Sequence, residues 1–224
     1  FDPESGVLYI PIDTTPKTGS TYCQNYDLTF DRACDFVIRI DGTDNSRVVV
    51  QERYEVLRAM FLGSTELVDP YVNEVAADTP VFKEIDLVLQ FLPEGSTRPD
   101  SESYETYETG VLRYGNANPD SEDFDSLADF MFTEDGVEIR IPWQLLNFAN
   151  PSEMMIHDDY YENFGVEYIH IDEMYVGMAA GNATEYRIPM ASLPLEGWGK
   201  TVTYHERLKE SYYILQEYWA GLDS

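Results

Sequence analysis

Lysine is the scarcest charge in this chain. Only Lys17, Lys83, Lys200 and Lys209 are present, and lysine and arginine together number 14 against 42 acidic residues. The formal charge of −28 repels phosphate backbones and anionic headgroups, which argues against nucleic acid and membrane surfaces as partners. No run approaches the ~20 apolar residues of a membrane span, so no insertion is expected of this segment. Histidine is limited to three residues and cysteine to Cys23 and Cys34. HExxH spacing, a GxSxG elbow, a phosphate-cradling glycine loop and a Cys/His motif are all missing, which removes the common metal, nucleophile and nucleotide chemistries. The chain opens at Phe1 rather than Met and reads as a segment of something longer.

What is present is apolar and aromatic. Hydrophobic residues make up 43% of 224 and aromatics 14%, enough to bury the core of one large β domain. Val137, Ile139 and Ile141 alternate with Glu138 and Arg140, the period-2 pattern of a strand. Pro142 then ends the ladder, and Trp143, Leu145, Leu146 and Phe148 form an apolar turn expected to fold back over the sheet with Trp143 in the core. Asp129–Phe132 is the hairpin partner of this strand. Further strands are predicted at Leu8–Ile12, Cys34–Ile40, Arg47–Gln51, Phe82–Leu92, Thr109–Tyr114, Tyr168–Asp172 and Met174–Met178, with a turn at Asp41–Ser46. The stretch Tyr54–Leu62 fits helix or strand, and 93–103 reads as a polar loop. Leu208, Tyr212, Leu215, Trp219 and Leu222 recur at helical spacing. The fold class is therefore all-β: an antiparallel β-sandwich over 1–204 with a short amphipathic helix over 205–224 packed on it.

Three of these stretches carry a family likeness. Tyr9-Ile-Pro-Ile-Asp-Thr14, Asp35-Phe-Val-Ile-Arg-Ile40 and Val137-Glu-Ile-Arg-Ile-Pro-Trp143 resemble the DOMON-like sandwiches, which include the family-nine carbohydrate-binding modules. The likeness spans roughly residues 7 to 195 and extends to bacterial cell-surface proteins that carry such a domain. It implies a fold more firmly than a ligand. It also implies strands before Tyr9–Asp13, so an edge there awaits another segment or a partner subunit.

Several clusters are candidates for function. Asn118, Asp120, Glu122, Asp123 and Asp125 lie in one loop and offer the oxygen ligands that calcium takes; a solvated acidic loop is the alternative. Asp41, Asp44 and Asn45 offer a smaller set, for which a plain hairpin turn is favoured. Tyr104, Tyr107, Tyr114, Tyr160, Tyr161, Trp198 and Tyr204 fall in or beside loops, where an exposed ring can stack on a sugar; otherwise they are core-edge residues. His157 precedes Asp158 and Asp159, His170 lies near Asp172 and Glu173, and His205 precedes Glu206, without any ligand spacing. Cys23 and Cys34, close and isolated, are expected to form a disulfide in an oxidising compartment, with two buried thiols as the alternative. The preferred reading is a non-catalytic extracellular or cell-surface module that binds a glycan or polysaccharide, with structural calcium. The rival is an assembly domain that meets other subunits through an open strand edge.

Overall fold

The computed structural model describes residues 6–55, 75–91, 104–134, 136–163, 167–181, 183–199, 215–216 and 218–221. The strands are β1 (Leu8–Asp13), β2 (Ser20–Cys23), β3 (Leu28–Cys34), β4 (Phe36–Ile40), β5 (Arg47–Gln51), β6 (Phe82–Glu84), β7 (Asp86–Phe91) and β8 (Tyr104–Glu108). They continue as β9 (Phe130–Phe132), β10 (Val137–Ile139), β11 (Phe148–Asn150), β12 (Met155–His157), β13 (Tyr168–His170), β14 (Glu173–Gly177), β15 (Ala179–Ala180), β16 (Arg187–Ile188) and β17 (Met190–Pro194). One helical turn, α1 (Tyr160–Asn163), interrupts them. The fold is all-β and sandwich-like.

The main sheet runs β17-β14-β1-β4-β5-β6, with β15 also paired to β1. Its central strands are apolar on both faces. Phe36, Ile38, Ile40, Val48 and Val50 enter one buried cluster, while Val37 and Val49 enter another on the opposite side. Period-2 geometry requires this split, since successive side chains in a strand point to opposite faces. The uninterrupted Val48-Val49-Val50 is thus a strand covered twice. The first face is closed by the β9–β10 hairpin, the 3₁₀ turn Trp143–Leu146 and the small sheet β11-β12-β13. The second is closed by β2, β3 and β16, where β16 runs parallel to β3.

The edge beside Tyr9–Asp13 is filled from within the chain. Ile12 and Asp13 pair with Val176 and Tyr175 of β14, and Leu8 and Tyr9 with Ala180 and Ala179 of β15. Pro11 sits where one partner gives way to the other, so its missing N–H breaks no ladder there. The ring of Pro11 also explains Gly177: a Cβ there would lie 2.9 Å from Pro11 Cγ and 2.8 Å from the Pro189 carbonyl.

Several expectations need correction. The predicted strands Cys34–Ile40 and Phe82–Leu92 are each broken, at Asp35 and Ile85, because the chain changes sheets at those points. Thr109–Tyr114 is no strand. It makes isolated bridges at Val111 and Tyr114 and follows the true strand β8. Trp143 is not a core residue: it is 36% exposed, its indole edge-on to Phe148 at 4.7 Å, and Leu146 carries the burial of that turn.

Cys23 and Cys34 are free thiols, both buried. Register is the reason. Cys34 faces Ser20 across the β2–β3 ladder and Cys23 faces Leu28, so the two lie at opposite ends of the hairpin. Three residues of strand separate them, about 10 Å, beyond the reach of an S–S bond. Residues 215–216 and 218–221 are helical, and Leu215 and Trp219 are exposed there. Leu208, Tyr212 and Leu222 fall outside the described residues, as do most of Tyr54–Leu62 and the whole of 93–103. No described helix is long and apolar enough to cross a membrane.

Candidate functional site

The corner residue Asp35 builds the site. It lies between β3 in the covering sheet and β4 in the main sheet, with no exposed surface. Its N–H donates to the Ile12 carbonyl at 2.9 Å, and its carbonyl accepts from Gln51 N–H at 2.6 Å. The N–H groups of Thr14 and Thr15 donate to Asp35 Oδ2 at 2.7 and 2.9 Å, and the Thr18 hydroxyl donates to Oδ1 at 3.1 Å. One carboxylate therefore fixes the loop that leaves β1.

That loop is one wall of an open cleft of about 280 Å³. Asp13, Thr14, Thr15 and Pro16 come from the end of β1 and its loop, and Arg32 from β3. His170 ends β13, Ile171 and Asp172 form the β13–β14 turn, and Glu173 and Tyr175 come from β14. Antiparallel register sets Asp13 directly opposite Tyr175. Arg32 Nε donates to Asp13 Oδ2 at 2.6 Å, and its guanidinium carbon lies 3.2 Å from the centre of the Tyr175 ring, a stacked cation–π contact. The Tyr175 hydroxyl donates to Glu173 Oε1 at 2.6 Å, and the Ser192 hydroxyl donates to Glu173 Oε2. His170 Nδ1 lies 3.7 Å from Asp172 Oδ1, and the Asp172 side chain is 90% exposed.

The electrostatics divide the carboxyls. Burial raises the Asp13 pKa against the pull of Arg32, and it raises that of Asp35 well above the usual range, with Asp13 adding repulsion. Both carboxyls are therefore harder to ionise than a solvated aspartate, Asp35 the more deeply buried of the two. Glu173 is held below the ordinary range by the Ser192 and Tyr175 hydroxyls. It presents a fixed, ionised acceptor at the cleft.

The expected aromatic residues do not converge. Tyr107 is exposed on β8 opposite Leu87, and Tyr114 packs against Phe130 and Phe132 at 5.5 and 5.4 Å. Tyr160 is buried at the start of α1, which removes it as a platform. Tyr161 is half-buried beneath the Arg53 guanidinium at 4.7 Å, itself clasped by Asp159 at 2.6 Å. Trp198 is exposed beyond β17. The side chain of Tyr104, and all of Tyr204 and His205, lie outside the described residues. None of the described ones lines the cleft.

The acidic loop satisfies itself. Asn118 Oδ1 accepts from Asp120 N–H at 3.0 Å, and the Ser121 hydroxyl oxygen accepts from Asp123 N–H at 3.3 Å. Asp125 accepts from Leu127 N–H at 2.9 Å and Arg113 Nε at 2.8 Å, while Asp120, Glu122 and Asp123 face solvent. No group of three or more metal-ligating side chains forms among the described residues. Asp41 ends a hairpin turn, its N–H held by the Ser46 hydroxyl at 2.9 Å and its carboxylate by Arg39.

Of the clusters noted in sequence, His170 with Asp172 and Glu173 is the one at the cleft. Asp13, Arg32 and Tyr175 were missed. Their signal was a polar residue closing an apolar strand, as in Ile12-Asp13, too common to stand out. Comparison of the chain with protein-family models, curated proteins and solved structures found no match.

Proposed function

We propose that this protein is a non-catalytic carbohydrate-binding sandwich of an extracellular or cell-surface setting, with its ligand in the cleft between β1, β3 and β14. One observation carries the reading: the cleft gathers fixed acceptors and donors from separate strands. Carboxylates, a guanidinium, an imidazole and threonine hydroxyls are the groups that pair with the donor and acceptor edges of a sugar. At about 280 Å³ it lies at the small end of ligand pockets, commonly about 300–1,000 Å³, which suits a short unit or a chain end. Acid–base catalysis fits less well, because Asp13 is held by Arg32 and only 4% exposed.

Calorimetry with neutral, amine-bearing and acidic oligosaccharides tests this. Wild-type protein should bind at least one class, Glu173→Ala should weaken that binding about tenfold or more, and Tyr107→Ala should leave it unchanged. Loss through Tyr107→Ala with Glu173→Ala unaffected would move the site to the β7–β8 hairpin and refute the cleft.

A second reading, assembly between subunits, rests on β17. This terminal strand of the main sheet, Met190-Ala-Ser-Leu-Pro194, bears no charge to discourage edge pairing. Sedimentation would show concentration-dependent association that Leu193→Lys abolishes; a monomer at high concentration would end it.

A further inference from the structure

We propose that the cleft selects a saccharide bearing a protonated amine, with Asp172 and Glu173 as its counter-ions. The inference rests on the carbohydrate reading above and adds the ligand's charge. Three carboxyls line the cleft, from Asp13, Asp172 and Glu173, against one permanent cation, Arg32. That cation is committed to the wall: its Nε is bonded to Asp13 at 2.6 Å and its plane is stacked on Tyr175 at 3.2 Å. The nearest lysine on the loop, Lys17, is drawn away by Asp158 and Glu162 at 2.8 and 2.6 Å.

Among the described residues, neither Asp172 nor Glu173 is ion-paired with a lysine or arginine. The Asp172 side chain is 90% exposed, with the His170 imidazole at 3.7 Å. Glu173 is oriented by two hydroxyls of its own sheet, Tyr175 and Ser192, which hold it in place without neutralising it. A neutral hydroxyl and an ammonium both make charge-assisted hydrogen bonds to an ionised carboxylate, and the ammonium adds ion-pair attraction that the hydroxyl lacks. A uronic acid meets repulsion twice, from the cleft and from the −28 charge of the chain.

The test is calorimetry on the whole chain at pH 6, with five probes: a glucosamine disaccharide, its N-acetylated counterpart, cellobiose, a diuronic acid and putrescine. The glucosamine disaccharide should bind at least tenfold more tightly than its acetylated form, and the diuronic acid should give no heat. Asp172→Asn combined with Glu173→Gln should bring the affinities for the free-amine and acetylated sugars to within about twofold of each other; a tenfold preference that survives the double change overturns the counter-ion assignment. Both side chains are on the surface, so folding is checked by an unchanged melt. Asp120→Asn combined with Glu122→Gln, on the acidic loop, should change nothing; an equal loss there would overturn the proposal in favour of diffuse surface charge. Equal affinity for acetylated and free-amine sugars overturns the amine preference but keeps the carbohydrate reading. Putrescine binding as tightly as the disaccharide overturns the saccharide half, and no binding by any sugar overturns both.

Discussion

The loop from Asn116 to Asp125 carries four carboxylates within six residues, whereas the cleft brings Asp13 at the end of β1 to the neighbours Asp172 and Glu173, far along the chain. Apart from Arg113 on Asp125, the hydrogen bonds quoted above for the loop stay within it or reach the next residues, so its acids face water or cap local backbone. The cleft acids are held by other strands: Asp13 by Arg32 of β3, and Glu173 by Ser192 of β17. Density of carboxylates in sequence therefore marks a solvated turn. Convergence from separate strands marks a site.

Removing the corner of each region should separate them most sharply. Asp35→Ala leaves the N–H groups of Thr14 and Thr15 buried without partners, and each such orphan costs about 1–3 kcal/mol. We expect a loss of about 3 kcal/mol or more by urea melt. Asp125→Ala, which frees one N–H and an exposed arginine in the loop, should cost about 1 kcal/mol or less. Similar losses at both corners would erase the distinction.

Next is the pH response. Burial raises both Asp13 and Asp35 above the unfolded value of 3.8, so the native state binds more protons than the unfolded chain between that pH and the raised native values. Stability from this pair thus falls as pH rises through that window, by up to about 1.4 kcal/mol per unit per proton. Asp13→Asn should flatten the fall in melts taken at successive pH values. Asp125 has the opposite sign: its depressed pKa contributes stability above 3.8 that disappears on acidification. A steeper alkaline fall in the Asp13→Asn variant would contradict a raised native pKa at Asp13.

Trp143→Ala should cost about 1–2 kcal/mol, less than the ~3–5 of a fully buried aromatic such as Phe36, because over a third of its surface is already in water. Much of the fold was legible here: the alternation in exposure over Val137–Ile141 and the turn at Trp143–Leu146 formed, although the strand itself ends at Ile139, short of Pro142. What could not be read was depth. The same turn holds Leu146 at 5% exposure and Trp143 at 36%, a choice made by β11 and not by spacing. The disulfide failed for a related reason, since closeness in sequence says nothing of register. The cleft was legible only at His170, Asp172 and Glu173, because Arg32 and Tyr175 come from different sheets, more than 140 residues apart in the chain.

The smallest effects belong to the thiols and the loop. Burial pushes Cys23 up to about 11 and raises Cys34 well above the usual thiol range, so iodoacetamide should label neither in native protein and both in unreduced denaturant. Native labelling would place them nearer the surface. Asp120→Asn, Glu122→Gln and Asp123→Asn together should shift stability by no more than about 0.5 kcal/mol. Calcium and chelator should move the melting temperature of that variant and of wild type alike; a shift in wild type alone would assign the loop an ion.

The placement of β1 bears on how the chain is made. As the ribosome releases the chain from its first residues onward, β4 and β5 can join β1 on one side soon after they emerge. The other side must wait for β14 and β15, more than 160 residues later. Throughout that interval an apolar central strand has one bare edge, and the cleft has only half its walls. Long-range pairing of this kind is slow and exposed to wrong partners. Expression that ends short of residue 180 should yield aggregates with no cleft, and a holding chaperone should matter more to this protein during synthesis than afterwards.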